Sequence, residues 1–140
     1  MICRELINPQ SIVVVGGSNN VHKPGGRLVR NLLDGKYKGD LYVVNAKEYE
    51  VQGLKSYRSV NDVPDTELAI ISIPGPACPE AVDILAKQKN VKAFIVVSAG
   101  FGEETHEGAI LEDQMLKSIN EAGATLIGPN CIGLMNMNYH

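Results

Sequence analysis

The sequence lacks any apolar run approaching the roughly 20 residues of a membrane-spanning helix. Its opening Met-Ile-Cys-Arg-Glu-Leu stretch carries an acid and has no apolar core of the kind a signal peptide needs. It also lacks a basic excess: 13 Lys plus Arg stand against 16 Asp plus Glu, a formal net charge of −3. That balance disfavours a large surface for duplex nucleic acid, although a local cluster of cations still suits a small anion. Tyr37, Tyr42, Tyr49 and Tyr57 are too scattered to suggest stacking on a single strand. Cysteine is sparse. Cys3, Cys78 and Cys131 form neither a CxxC pair nor a Cys/His zinc spacing, so the expectation is no metal site and free thiols in a reducing compartment. A soluble cytoplasmic protein with no nucleic-acid or membrane partner is the default expectation.

What is present is the composition of an average globular chain. The 140 residues, 44% hydrophobic and 21% charged, amount to a single domain spanning 1–140, and no linker, repeat or low-complexity tract divides it. Short runs rich in Val and Ile alternate with longer stretches in which apolar residues recur at helical spacing. The strands expected are Ser11 to Val15, Leu41 to Asn45, Leu68 to Ile73, Ala93 to Ser98 and Thr125 to Gly128. Their runs are mostly continuous rather than alternating, as in parallel strands covered on both faces. The helices expected are Gly26 to Asp34, Pro79 to Gln88 and His106 to Ala122, with Gly35 and Gly123 as left-handed C-terminal caps. Residues 49–64 are less regular and predict only a short helical turn around Ser59 to Val63. The pattern predicts an α/β, Rossmann-like, doubly wound sheet, mainly parallel, of about five strands with helices on both faces. In such a sheet, ligands bind beyond the carboxyl ends of the strands.

Those ends carry the informative residues. After the first strand, Gly16 to Gly26 reads GGSNNVHKPGG, a glycine-rich turn leading into a helix, which is a phosphate-binding context. Its spacing is neither G-x-G-x-x-G nor that of a P-loop, and a loop that needs glycine only for its backbone angles would read similarly. Ser18, Asn19 and Asn20 are potential donors to phosphate oxygens, and Lys23 and Arg27 suit either a charged site or a solvated helix start. At the second strand end, a domain built for NAD carries an acid for the ribose hydroxyl. Here Asn45-Ala46-Lys47 stands instead, and Lys47 favours a phosphorylated adenosine ribose, as in coenzyme A or NADP, or else is an ordinary turn lysine. Ile73 to Pro76, IPGP, offers a rigid apolar shelf or a simple helix entry. Ser98 to Glu104 and Gly128 to Gly133 are two further small-residue turns. Cys131 has no evident partner base and reads as a buried or ligand-lining thiol rather than a nucleophile.

Taken in order, NPQSIVVVGGS, VVNAK, IPGP, VVSAGFGE and GPNCIGLMN resemble the CoA-binding domain of the NDP-forming acyl-CoA synthetases. That group includes ADP-forming acetate–CoA ligase and the α-subunit of succinyl-CoA synthetase. The resemblance covers nearly the whole chain, residues 6–138, and implies a Rossmann-like domain whose strand-end loops hold coenzyme A. By this resemblance Gly17, Ser18, Asn19 and Asn20 match the loop around the CoA phosphates, and Lys47 the lysine after the second strand. Ile73, Pro74 and Pro76 match the shelf, Ser98, Ala99 and Gly100 the fourth-strand turn, and Asn130 and Cys131 the turn near the reactive thiol of the cofactor.

The chain departs from the family pattern at Asn-Ala-Lys, where relatives commonly have Asn-Pro-Lys, and in the first loop. The resemblance also implies a phosphorylated histidine and an ATP-grasp nucleotide site in further domains, in cis or on a separate subunit. His22, His106 and His140 are then not that histidine, no catalytic residue is expected here, and the ATP or ADP/GDP site lies outside this chain. Two other readings stand beside it: a stand-alone CoA-binding or redox-sensing regulator, and an NAD(P)-binding domain.

Overall fold

The computed structural model describes residues 9–97 and 106–127. Among the described residues seven strands form one sheet: β1 (Ser11–Val15), β2 (Asp40–Val44), β3 (Glu50–Val51), β4 (Leu54–Tyr57), β5 (Leu68–Ile71), β6 (Ala93–Val96) and β7 (Thr125–Ile127). Their order is β3-β4-β2-β1-β5-β6-β7, with every pairing parallel except β3 on β4. The helices are α1 (Pro24–Asp34), α2 (Cys78–Gln88) and α3 (His106–Ala122). The expected mainly parallel, Rossmann-like sheet is therefore what the chain forms.

Continuous apolar strands are explained by burial on both faces. Val13, Val15, Ala69, Ile71, Phe94 and Val96 point to one side and pack with Val82 and Leu85 of α2 and Met115 and Ile119 of α3. The alternate residues Ile12, Val14, Val43, Ile70 and Ile95 point to the other side, where Leu28 and Val29 of α1 meet them. Each such side chain taken from water contributes about 1.5–3 kcal/mol, and β1, β5 and β6 accordingly have no solvent-facing row. On the surface, α2 and α3 are joined by Lys87, which bonds Asp83 at 2.9 Å and Glu121 at 2.7 Å, while Ser118 donates to Asp83 at 2.8 Å. Lys87 and Ser118 together hold the Asp83 carboxyl below its ordinary range.

The structure adds to the sequence reading in three places. β3 and β4 form a hairpin in the segment that the pattern left unassigned, closed by Gln52 and Gly53 at φ +49° and +87°. The helical turn expected there is present as Val60–Asp62, with the Ser59 side chain accepting from the Asn61 N–H. β2 and β5 stop short of Asn45 and Ile73, whose backbones have already turned into loops. The expectation for Gly35 is corrected: it closes α1 at φ −78°, and the left-handed residue is its neighbour Lys36, at +54°. Gly123, at φ +69°, takes the conformation expected of it. The expected strand ends Ser98 and Gly128 lie outside the described residues.

At the start of α1 the helix presses onto the end of β1. A Cβ on Gly25 would collide with the carbonyl oxygen of Gly16, and one on Gly16, itself at φ +93°, with that of Ser72. An ordinary helical glycine gains about 0.5–1 kcal/mol on replacement by alanine. Here the sign reverses, and Gly25→Ala costs about 1–3 kcal/mol, as overpacking does; urea unfolding checks this, and an unchanged or raised midpoint would contradict it.

A second consequence concerns Tyr37, which donates its phenol to the Pro9 carbonyl at 2.7 Å. Burial first, then the charges of Glu67 and Asp40, push its phenol up to about 12 from 10.0. Raised pKa means the folded chain holds this proton more tightly, so the contribution is whole below pH 10 and is lost as pH rises toward 12. The fall in urea midpoint across that window is expected to be shallower in Tyr37→Phe; equal slopes would refute the assignment.

Candidate functional site

β1 stands where the chain changes direction, with β2 paired on one side and β5 on the other. At this switch point the strand-end loops part and leave a cleft of about 710 Å³, well within the range of small-molecule sites. Its walls are Gly16, Gly17 and Ser18 after β1, Asn45, Ala46 and Lys47 after β2, Arg58 to Asn61 after β4, and Ser72, Ile73 and Pro74 after β5. Lys23, Pro24 and Gly25 at the start of α1 close one end, and Ala77, Glu80, Ala81 and Ile84 of the α2 side close another.

The start of α1 is shaped for an anion. Lys23 is its N-cap, Pro24 occupies its first turn, and among the described residues no side chain caps it, so the positive end of an 11-residue helix faces the cleft. Such an end favours negative charge by about 0.3–1 kcal/mol, and more where partly buried. Lys23, Lys47 and Arg58 also line the cleft, and among the described residues none of the three takes part in a salt bridge. Among the described residues Glu80 is the one acid in the wall.

The loops around these charges are fixed by side-chain bonds. Asn45 donates from Nδ2 to the Gly17 carbonyl at 2.8 Å, and its Oδ1 accepts from the N–H groups of Lys47 at 2.8 Å and Glu48 at 3.0 Å. One residue thereby ties the lysine loop to the glycine turn. Gln52, at the tip of the hairpin, donates from Nε2 to the carbonyls of Ser18 at 2.8 Å and Gly26 at 2.9 Å. Asn19 completes the tie, donating to the Glu50 carbonyl at 3.0 Å and accepting from the Gln52 N–H at 2.7 Å. Beneath the shelf, the buried Cys78 thiol lies 3.6 Å from the carbonyls of Ile73 and Pro74.

Of the residues singled out from the sequence, Gly17, Ser18, Lys23, Lys47, Ile73 and Pro74 are brought together in the wall of this cleft. Asn19 has both ends of its carboxamide engaged with the hairpin, and Asn20 accepts the His22 N–H at 2.9 Å, so both shape the turn. Pro76 is exposed on the 3-10 turn Gly75–Ala77, beside the cleft rather than in its wall. Ser98, Ala99, Gly100, Asn130 and Cys131 lie outside the described residues. Asn45, Gln52 and Arg58 were not singled out. The signal for Asn45 was available, since an asparagine followed by a turn commonly bonds the N–H two residues on. Gln52 and Arg58 act across 26 and 12 residues of sequence, beyond the reach of local pattern.

Residues 10–137 match the family model described as a CoA binding domain. Over 131 residues, 92% of the chain, it is 40% identical to the α-subunit of the ADP-forming acetate–CoA ligase II of Pyrococcus furiosus, of which it covers 28%. It is 38% identical over 95% of its length to the ADP-forming acetate–CoA ligase II of Archaeoglobus fulgidus, covering 20% of that protein. A crystal structure from Pyrococcus horikoshii OT3 superposes with a TM-score of 0.84 at 39% identity, over 94% of this chain and 30% of that one. The chain thus spans less than a third of the length of these relatives. With the fold, the uncapped helix and the cation-lined cleft in agreement, the chain belongs to the CoA binding domain family and is homologous to the α-subunits of ADP-forming acyl-CoA ligases.

Proposed function

We propose that the cleft at the β1/β2 end of the sheet holds the nucleotide half of coenzyme A, and that the chain serves as the CoA-positioning part of a larger NDP-forming acyl-CoA ligase. The observation that carries this is the convergence on one cleft of an uncapped helix start and three cations that, among the described residues, form no salt bridge. Gly17 and Ser18, with the first turn of α1, suit the pyrophosphate, where backbone N–H groups and the helix field act together. Lys47, fixed by Asn45, suits the phosphate on the adenosine ribose. Ile73 and Pro74 give the pantetheine arm an apolar surface to lie on. Ser98, Ala99, Gly100, Asn130 and Cys131 remain assigned to the cofactor by the family pattern alone.

In this reading the chain makes and breaks no bond itself. Its task is orientation: a thiol held at one angle and distance reacts far faster than one met by diffusion, and the restriction is made before the reacting groups meet. The acyl phosphate, the phosphohistidine and the nucleotide site belong to further domains, joined in cis or as another subunit. The setting is cytoplasmic, in keeping with a sequence whose three cysteines are sparse and scattered.

Isothermal titration of the chain with CoA, dephospho-CoA, NADH and ADP tests the assignment. CoA is expected to bind in preference to NADH and ADP. Lys47→Ala is expected to weaken CoA by about 1 kcal/mol, roughly fivefold, with a smaller effect on dephospho-CoA. Equal losses for both ligands would remove Lys47 from the ribose phosphate, and preferential NADH binding would overturn the ligand itself.

A further inference from the structure

We propose that Arg58 is a specificity-determining residue of this cleft, its guanidinium sharing with Lys47 the ribose phosphate that distinguishes coenzyme A from its dephospho form. The inference rests on the CoA reading above and names the group that sets its selectivity.

Arg58 follows β4 directly and is held on two sides. Its Nε donates to the Ala46 carbonyl at 2.8 Å, and its guanidinium carbon stands 4.7 Å from the centre of the Tyr49 ring. Tyr49 is 75% exposed, so the ring buries little of itself and is used mainly as a platform for the cation. Among the described residues these two contacts leave the terminal nitrogens uncommitted, and Arg58 belongs to the cleft wall. Ala46 immediately precedes Lys47, so the bond that orients the guanidinium also sets it beside the loop that carries the ammonium.

An exposed arginine without an acid partner is common, and by itself says nothing. An arginine whose plane is fixed is different, because the rotamer entropy that an anion would otherwise have to remove is already gone. A planar fork matches the oxygens of a phosphate in two parallel bonds, whereas an ammonium acts as a point charge. Lys47 and Arg58 share one wall and, among the described residues, neither is in a salt bridge, so the two cations repel each other until an anion arrives. A dianionic phosphate monoester relieves that repulsion, and a ribose hydroxyl does not.

The test is titration of the wild-type chain, Arg58→Ala, Arg58→Lys and Tyr49→Ala with CoA and with dephospho-CoA, each variant checked for an unchanged urea midpoint. Arg58→Ala is expected to weaken CoA about tenfold while changing dephospho-CoA less than about twofold. Arg58→Lys is expected to recover part of the loss, and Tyr49→Ala to fall between wild type and Arg58→Ala. Equal weakening of both ligands would make Arg58 a clamp on the Ala46 loop and overturn its role in selectivity, as would no change for either. A wild-type chain that binds both forms equally would overturn this proposal and leave the CoA reading intact; one that binds neither would overturn the CoA reading.

Discussion

The close passage of the α1 start over the end of β1 is the constraint from which the rest of the site follows. Where Gly25 crosses Gly16 there is no room for a side chain on either residue, and the backbone oxygen of Gly16 fills the space a Cβ would need. Because β1 is central in the sheet, this crossing lies at the switch point, between the loops after β2 and β5. The helix end thus points into a cleft rather than at open solvent, where its field would be screened.

Around that fixed point the neighbouring loops are tied rather than simply packed. Asn45 joins the lysine loop to Gly17, while Gln52 and Asn19 fasten the β3–β4 hairpin to the same turn. A single neutral hydrogen bond adds only about 1 kcal/mol to stability, and among the described residues the buried Gln52 Oε1 has no partner. Their larger effect is on geometry. Loops held before the ligand arrives do not have to be ordered by it, so more of the contact energy appears as affinity. For a domain whose proposed work is to orient a cofactor, rigidity in the phosphate loops is the useful property.

Much of this was legible in the sequence because both signals are local. Val13 to Val15, Leu68 to Ile71 and Ala93 to Val96 are apolar at every position, which implies strands buried on both faces, and the Gly16 to Gly26 turn falls between a strand and a helix. The hairpin was not legible. Its first strand is two residues long, and its turn is Gln-Gly rather than the Asn-Gly or Asp-Gly that usually announces one. What holds it is the Gln52 carboxamide, bonded to Ser18 and Gly26, a contact that exists only once the sheet has formed. Arg58 escaped notice for a similar reason: a lone arginine after a short strand reads as a surface charge until Tyr49 and Ala46 are seen beside it. Gly35 shows the converse, a residue type suited to a left-handed cap while Lys36 takes the conformation instead.

The central claim is that one cation-lined cleft, set by a glycine crossing, receives the phosphates of coenzyme A. A crystal structure of the chain grown with CoA tests it most directly. The expected density places the pyrophosphate against Gly17, Ser18 and the first turn of α1, with the ribose phosphate within hydrogen-bond distance of Lys47 and Arg58. A cofactor seated elsewhere on the chain, or one lying in this cleft with its phosphates turned toward Glu80 and away from the three cations, would contradict the account.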